Sequence, residues 1–201
     1  AIRVFDRIGS DIWNICNNHI MDAGPEGIER TLAEAENNGA KLVGAGMNLE
    51  SARRPIFLGK LPDELEDNDA DDKPEYLVGI FSAGYRRGCK PARDDYPGCL
   101  MWNDFESIQK SIDDIKKRAK KCILIAHAGE EFTSLPSPYT RDRYHKFLEM
   151  GVDIIVAHHP HVPMNYETVG DKVIFYSLGN FIFDTPYQRD QFNTEKGILL
   201  R

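Results

Sequence analysis

The chain has 201 residues, 41% of them apolar and 28% charged, enough for one domain with a real core and an ordinary globular mixture. Its net charge of -7 argues against nucleic-acid binding, which needs clustered Lys and Arg. No apolar run approaches the roughly 18 residues of a membrane span, and no signal-peptide pattern is visible.

Strand and helix signals alternate along the chain. "IWNIC" reads as a short buried strand. Pro25 then suits the first turn of a helix, with Ile28, Leu32 and Ala35 at helical spacing and Gly39 just past its end. "KLVGAG" predicts a strand and a turn, and "PIFLGKL" and "YLVGIFSAG" predict further strands around a very acidic loop. The spacing of Phe105, Ile108, Ile112, Ile115 and Ala119 predicts a helix over residues 104–120. "KCILIA" reads as a strand, "TRDRYHKFLEMG" as a helix ending at Gly151, and "VDIIVA" as another strand. "VIFYSLGNFIF" and "GILLR" add strand signal at the end. Strands alternating with amphipathic helices predict an α/β domain, with no internal repeat and no interdomain linker.

Several segments carry little chemistry. Asp67, Asp69 and Asp71 have the spacing that starts a calcium loop, but Asp72 and Val78 stand where such a loop needs Gly and Glu. A solvated acidic loop that binds no calcium is the expectation over residues 62–74. Arg86, Arg87, Lys90 and Arg93 suit a surface loop or a subsite for an anion. Cys16 and Cys122 lie in apolar runs and read as buried small hydrophobes. Cys89 and Cys99 flank one loop and can pair in an oxidising compartment; neither number nor spacing matches a zinc ribbon or a redox motif.

The sharpest signal is where the polar residues fall. "IWNIC" is followed by Asn17, Asn18 and His19, "CILIA" by His127, and "DIIVA" by His158, His159 and His161. Ligands bind outside the carboxyl ends of strands in α/β sheets, so three such ends can converge on one metal centre. If "AHHPHV" is extended, alternate side chains share a face, which points His159 and His161 one way and His158 the other, toward packing or a supporting role. Neutral imidazoles and an amide oxygen suit manganese, iron or zinc better than calcium.

"NNHIMDAGPEGIERTL", "HAGEE", "VDIIVAHHPHV" and "IFYSLGNFIFD" occur in that order. Together they resemble the bacterial capsule-synthesis proteins of the CapA type, associated with poly-γ-glutamate synthesis, within the calcineurin-like metallophosphoesterase superfamily. The resemblance implies a four-layer α/β/β/α sandwich with two metals between strand ends, in a single domain over residues 1–201. It implies Asn18, His127 and His159 on one metal, His161 on the other, and His19 as the group that protonates the leaving oxygen. Glu131 and Asn180 fall in family motifs and, like His158, are expected to support the site or face substrate. Asn17 and Asp22 are expected to brace the loop and the next helix.

One departure stands out. The superfamily's Asp-x-His and Gly-Asp motifs precede its asparagine–histidine motif; here Asp-x-His is absent and the sole Gly-Asp, at Gly170 and Asp171, comes later. The expectation is a partial domain lacking its N-terminal strands, with one metal keeping three ligands and the other a single one. By resemblance, the protein acts outside the cytoplasm at the cell envelope, on a phosphate ester or an anionic polymer, alongside a membrane-bound polymer synthase and without nucleic acid. The alternatives are a non-catalytic binder of polymer or synthase with the same fold, and a metal-dependent hydrolase of a non-phosphate bond.

Overall fold

A computed structural model describes residues 7–62, 74–85, 89–183 and 185–200. Most of the acidic loop, with Asp67, Asp69, Asp71 and Asp72, lies outside the described residues, as do Arg86 and Arg87. The expectation of a solvated acidic segment therefore falls there too.

Strand β1 (Ile12–Asn14) leads through the "NNH" segment to helix α1 (Gly24–Asn37), which buries Ile28 and Ala35. Pro25 fits the first turn because its missing N–H would have no partner there, and Gly39, at φ 66°, closes the far end. "KLVGAG" splits into β2 (Lys41–Val43) and β3 (Ala45–Gly46). The break is Gly44, whose φ of 104° suits glycine and whose Cβ would meet that of Cys16 at 2.6 Å. Helix α2 (Leu49–Arg53) follows, and periodicity gives no hint of so short an element. Its signal is the Asn48–Ser51 capping box, in which the Asn48 side chain accepts from Ser51 N–H.

Strands β4 (Ile56–Lys60), β5 (Tyr76–Gly84), β7 (Ala119–His127), β8 (Ile154–His158), β9 (Tyr166–Val169) and β10 (Lys172–Phe175) form one sheet, ordered β4-β5-β7-β8-β10-β9. Its four inner strands run parallel and the two edges antiparallel. β6 (Gly98–Cys99) pairs with β3, and β1 with β2.

Helix α3 (Phe105–Lys116) stops short of the expected residue 120. Ala119 keeps the helical spacing of Ile108, Ile112 and Ile115, yet it begins β7 opposite Tyr76, where sheet pairing overrides the pattern. Helix α4 (Pro138–Met150) starts two residues earlier than the sequence reading because Ser137 caps Thr140 N–H ahead of Pro138. Both helices pack on the large sheet through Ile108, Ile112, Ile115, Tyr144, Phe147 and Leu148, with Phe81, Leu124 and Ile155 beneath. A second, smaller core joins Trp13, Ile15, Cys16, Ala35, Ala45 and Cys99.

The end of the chain departs most from expectation. β10 stops at Phe175, and Gly179 turns the backbone at φ 71°. Phe181, Ile182 and Phe183 are exposed, at 73%, 64% and 45%, instead of extending the strand. "GILLR" contributes a single bridge, Gly197 to Gly179, among the described residues. Short helix α5 (Pro186–Arg189) lies between them. The architecture is thus mixed α/β around a six-stranded sheet.

Candidate metal centre

Parallel pairing aligns the ends of three strands. Gly84 of β5 stands opposite His127 of β7, and His127 opposite His158 of β8. The next residues leave the sheet on one side, which is where polar groups gather.

His127 is 8% exposed and touches the segment after β1: its Nε2 lies 2.9 Å from Asn18 Oδ1. Its Nδ1 lies 2.8 Å from Nδ1 of His158. His158 Nε2 is in turn 2.8 Å from the Asn14 side-chain amide, whose oxygen accepts from Cys16 N–H at 3.2 Å. With that oxygen engaged, the amide nitrogen donates to His158 Nε2. His158 must then carry its proton on Nδ1 and donate it to His127, whose own proton sits on Nε2 facing Asn18. Two amides thus fix the orientation of two imidazoles. Burial, reinforced by the neighbouring histidines, lowers the His127 pKa to about 2, and burial lowers that of His158 to about 4. Both are neutral at ordinary pH, which leaves His127 able to ligate.

The second group forms around His159, whose ring centre lies 4.7 Å from that of His127. His159 Nε2 is 3.7 Å from Glu131 Oε1, and potential ligand atoms of Glu131, His159 and His161 all lie within 4.8 Å of one another. Burial lowers the His159 pKa, against the opposing pull of Glu131. His159 Nδ1 is buried without a hydrogen-bond partner. His161 Nδ1 lies 2.9 Å from Asn180 Oδ1, and the Asn180 amide donates to Thr194 O, so Asn180 holds the His161 ring.

In "AHHPHV", the rings of both His158 and His159 stand beside His127, with centres 4.6 and 4.7 Å away, while those of His159 and His161 are 6.2 Å apart. His158 hydrogen-bonds His127, and His159 shares its potential ligand space with Glu131 and His161. The backbone is not extended, however: His159 and His161 have φ of 114° and 64°, in the left-handed region that residues with a Cβ rarely adopt. Such geometry concentrates at functional sites.

His19 stands apart, exposed and outside the cavity lining. Asp22 Oδ2 lies 2.8 Å from its Nδ1, and its backbone N–H donates to Asn17 Oδ1 at 2.8 Å. Asn17 and Asp22 therefore brace this loop. A cavity of about 400 Å³ opens beside the histidines, lined by Asn18, Tyr85, Gly129, Glu130, Glu131 and His159. Glu130 accepts from Ser137 N–H, Ser137 Oγ and Thr140 Oγ1, which ties it to the start of α4. Asn14 and Tyr85 escaped the sequence reading. Asn14 is the lone polar residue inside "IWNIC", and Tyr85 directly follows a strand, so both carried a signal.

The profile of a family described as bacterial capsule synthesis protein PGA_cap matches residues 1–185. The chain is 32% identical over 189 residues to the PGA biosynthesis protein CapA of Bacillus subtilis, covering 94% of this chain and 47% of that protein. It is 30% identical over 192 residues to the capsule biosynthesis protein CapA of Bacillus anthracis, covering 94% and 44%. A probable polyglutamine synthesis accessory protein of Mycobacterium tuberculosis is 26% identical over 181 residues, covering 85% and 44%. The chain therefore spans about half the length of the curated relatives it matches.

Proposed function

The chain belongs to the family of bacterial capsule synthesis proteins, and from that premise we propose a metal-dependent phosphoesterase-like role in capsule or poly-γ-glutamate biosynthesis at the cell envelope. The observation that carries this reading is the convergence of Asn18, His127, His159, His161 and Glu131 from segments far apart in sequence. The donor set fits a divalent manganese, iron or zinc ion. Burial keeps His127 neutral, one buried His159 nitrogen has no partner, and a carboxylate stands beside it. Asn18, His127 and His159 would hold one ion, and His161 a second. Glu131 offers a carboxylate oxygen within 4.8 Å of ligand atoms of His159 and His161, a closer role than its motif alone suggested.

A bound divalent ion supplies Lewis-acid polarisation of a phosphoryl oxygen and a water acidic enough to attack at neutral pH. The rest falls to the chain. His158 and Asn14 orient His127, a supporting arrangement common to metal-bound histidines. The resemblance assigns proton donation to the leaving oxygen to His19, whose Nδ1 faces Asp22 and whose exposed ring stands outside the cavity lining. The cavity beside Tyr85 and Glu131 takes the reacting segment of the substrate. Exposed Lys90 and Arg93 offer positive charge to an anionic polymer or phosphate ester.

The same reading places the six-stranded sheet and the smaller β1–β2 and β3–β6 pairs in a four-layer α/β/β/α sandwich. Two separate cores, one under α3 and α4 and one under α1, support it. A membrane-bound polymer synthase is the proposed partner, in keeping with a relative named an accessory protein.

The test is metal content after dialysis against Mn(II), Fe(II) or Zn(II), with hydrolysis of an aryl phosphate diester, for the unmodified chain and His159→Ala. Metal binding and turnover that both fall in the variant support the reading. Metal without turnover points to a binding component or another hydrolysed bond. No metal under any condition removes the centre.

A further inference from the structure

Three cysteines meet in the interior beneath this centre. Cys16 follows β1, Cys89 follows β5, and Cys99 lies in β6. They are 0%, 3% and 0% exposed, and all are free thiols. Their sulfurs lie within 4.8 Å of one another. The fold leaves room for them: a Cβ on Gly84 would meet Cys89 Sγ at 2.6 Å and Cys16 Sγ at 2.9 Å.

We propose that Cys16, Cys89 and Cys99 form a buried three-sulfur site for a thiophilic d10 cation, with Cu(I) the best match. Three sulfurs around one ion, each bonded at about 2.3 Å, stand roughly 4 Å apart, so the observed cluster needs little side-chain movement. A disulfide, at about 2.05 Å, would use two sulfurs and strand the third. Thiolates select Cu(I) and Zn(II). Among the described residues no His, Asp or Glu joins these sulfurs as a fourth ligand, which favours three-coordinate Cu(I) over tetrahedral zinc. Three S–H bonds break, three S–Cu bonds form, and three protons pass to solvent. Copper enters as Cu(I), so no electron moves. The bound ion ties the end of β1 to β6 and to the segment after β5, fixing the base from which Asn14 and Asn18 reach the histidines. The site uses no histidine and stands independently of the phosphoesterase reading.

The test uses the reduced chain under anaerobic conditions. Cd(II) is the optical probe, and Cu(I) is titrated against a chromophoric chelator. We expect one equivalent of Cd(II) to produce sulfur-to-metal charge-transfer absorbance and, in mild urea, to protect three of the four cysteines from alkylation, counted by mass. Cu(I) should displace Cd(II) and abolish that absorbance. Cys99→Ser should lose the band, while Cys122→Ser and His159→Ala keep it. If Cys99→Ser does not fold, the alkylation count on the unmodified chain decides. An absent band, a band that survives in folded Cys99→Ser, or only two titratable thiols in chain purified without reductant would overturn the proposal, the last by showing a disulfide instead.

Discussion

His127 Nε2 lies 2.9 Å from Asn18 Oδ1, although 109 residues separate them in the chain. That distance suits a hydrogen bond, and it also suits two donors in adjacent positions around one cation with bonds of about 2.1 Å. In the free chain the amide oxygen faces the proton on His127; a cation would take the place of that proton. His127→Ala and Asn18→Leu should each weaken Mn(II) binding at least about tenfold, since each removes one donor of a small set. Equilibrium dialysis at neutral pH measures this. Unchanged affinity in both variants would separate the pair from any metal.

Asn14 touches none of the candidate ligands of the histidine centre, yet it sets the ring of His158 and through it that of His127. Asn14→Leu should lower metal affinity about 10–100-fold, as loss of supporting contacts does elsewhere. Nitrogen NMR of the imidazoles supplies a second readout. In the free chain His158 should be protonated on Nδ1, and in the variant that preference should weaken. A variant with the same tautomers and the same affinity would reduce Asn14 to packing.

Glu167 joins strand β9 to helix α4. Hydrogen bonds from Arg141, then from Tyr176, together with His145, hold its carboxyl at about 2 against an ordinary 4.5. A depressed carboxyl stabilises the folded chain fully above 4.5 and loses that contribution as the pH falls toward 2. Glu167→Gln should lower the urea midpoint at neutral pH, and the gap to the unmodified chain should close as the solution is acidified through that window. A gap independent of pH would mean that the ion pair contributes nothing.

Gly79 sits where β5 passes under α3. A Cβ there would meet Ile115 Cγ2 at 2.6 Å and Cγ1 at 2.8 Å. Ile115 is fully buried and branched, so it cannot turn aside. Gly79→Ala should cost about 1–3 kcal/mol by overpacking, read as a lower urea midpoint. A neutral result would show that α3 shifts freely over the sheet.

The candidate ligands were legible because buried apolar runs ending in polar residues are strands with something at their tips. "CILIA" before His127 and "DIIVA" before His158 needed no further context. What periodicity could not supply was competition. Ala119 fits the helical stripe of Ile108 and Ile112, but its backbone pairs with Tyr76 once β5 is in place. The turned backbone at His159 and His161 was equally hidden, since alternation assumes extension and only folding around Pro160 sets their positive φ. The meeting of Cys16 with Cys89 and Cys99 was beyond reach for another reason. It depends on how two small strand pairs dock against the large sheet, and no local pattern encodes that.

Gly84, His127 and His158 stand in one row across three parallel strands. Deleting one residue within β7 or β8 would let the ladder re-form, but it would turn the histidine to the opposite face, because side chains alternate. Past the row the regular ladder gives way after Tyr85 N–H to His127 O and Ala128 N–H to His158 O, and the Glu131 segment keeps one cross-segment bond, Phe132 N–H to Pro160 O, beside the local contacts of Glu130 with Ser137. Changes of length should therefore be ruinous inside the strands and tolerable a few residues beyond them. Related chains can then reshape what the cavity accepts while the histidine row keeps its place.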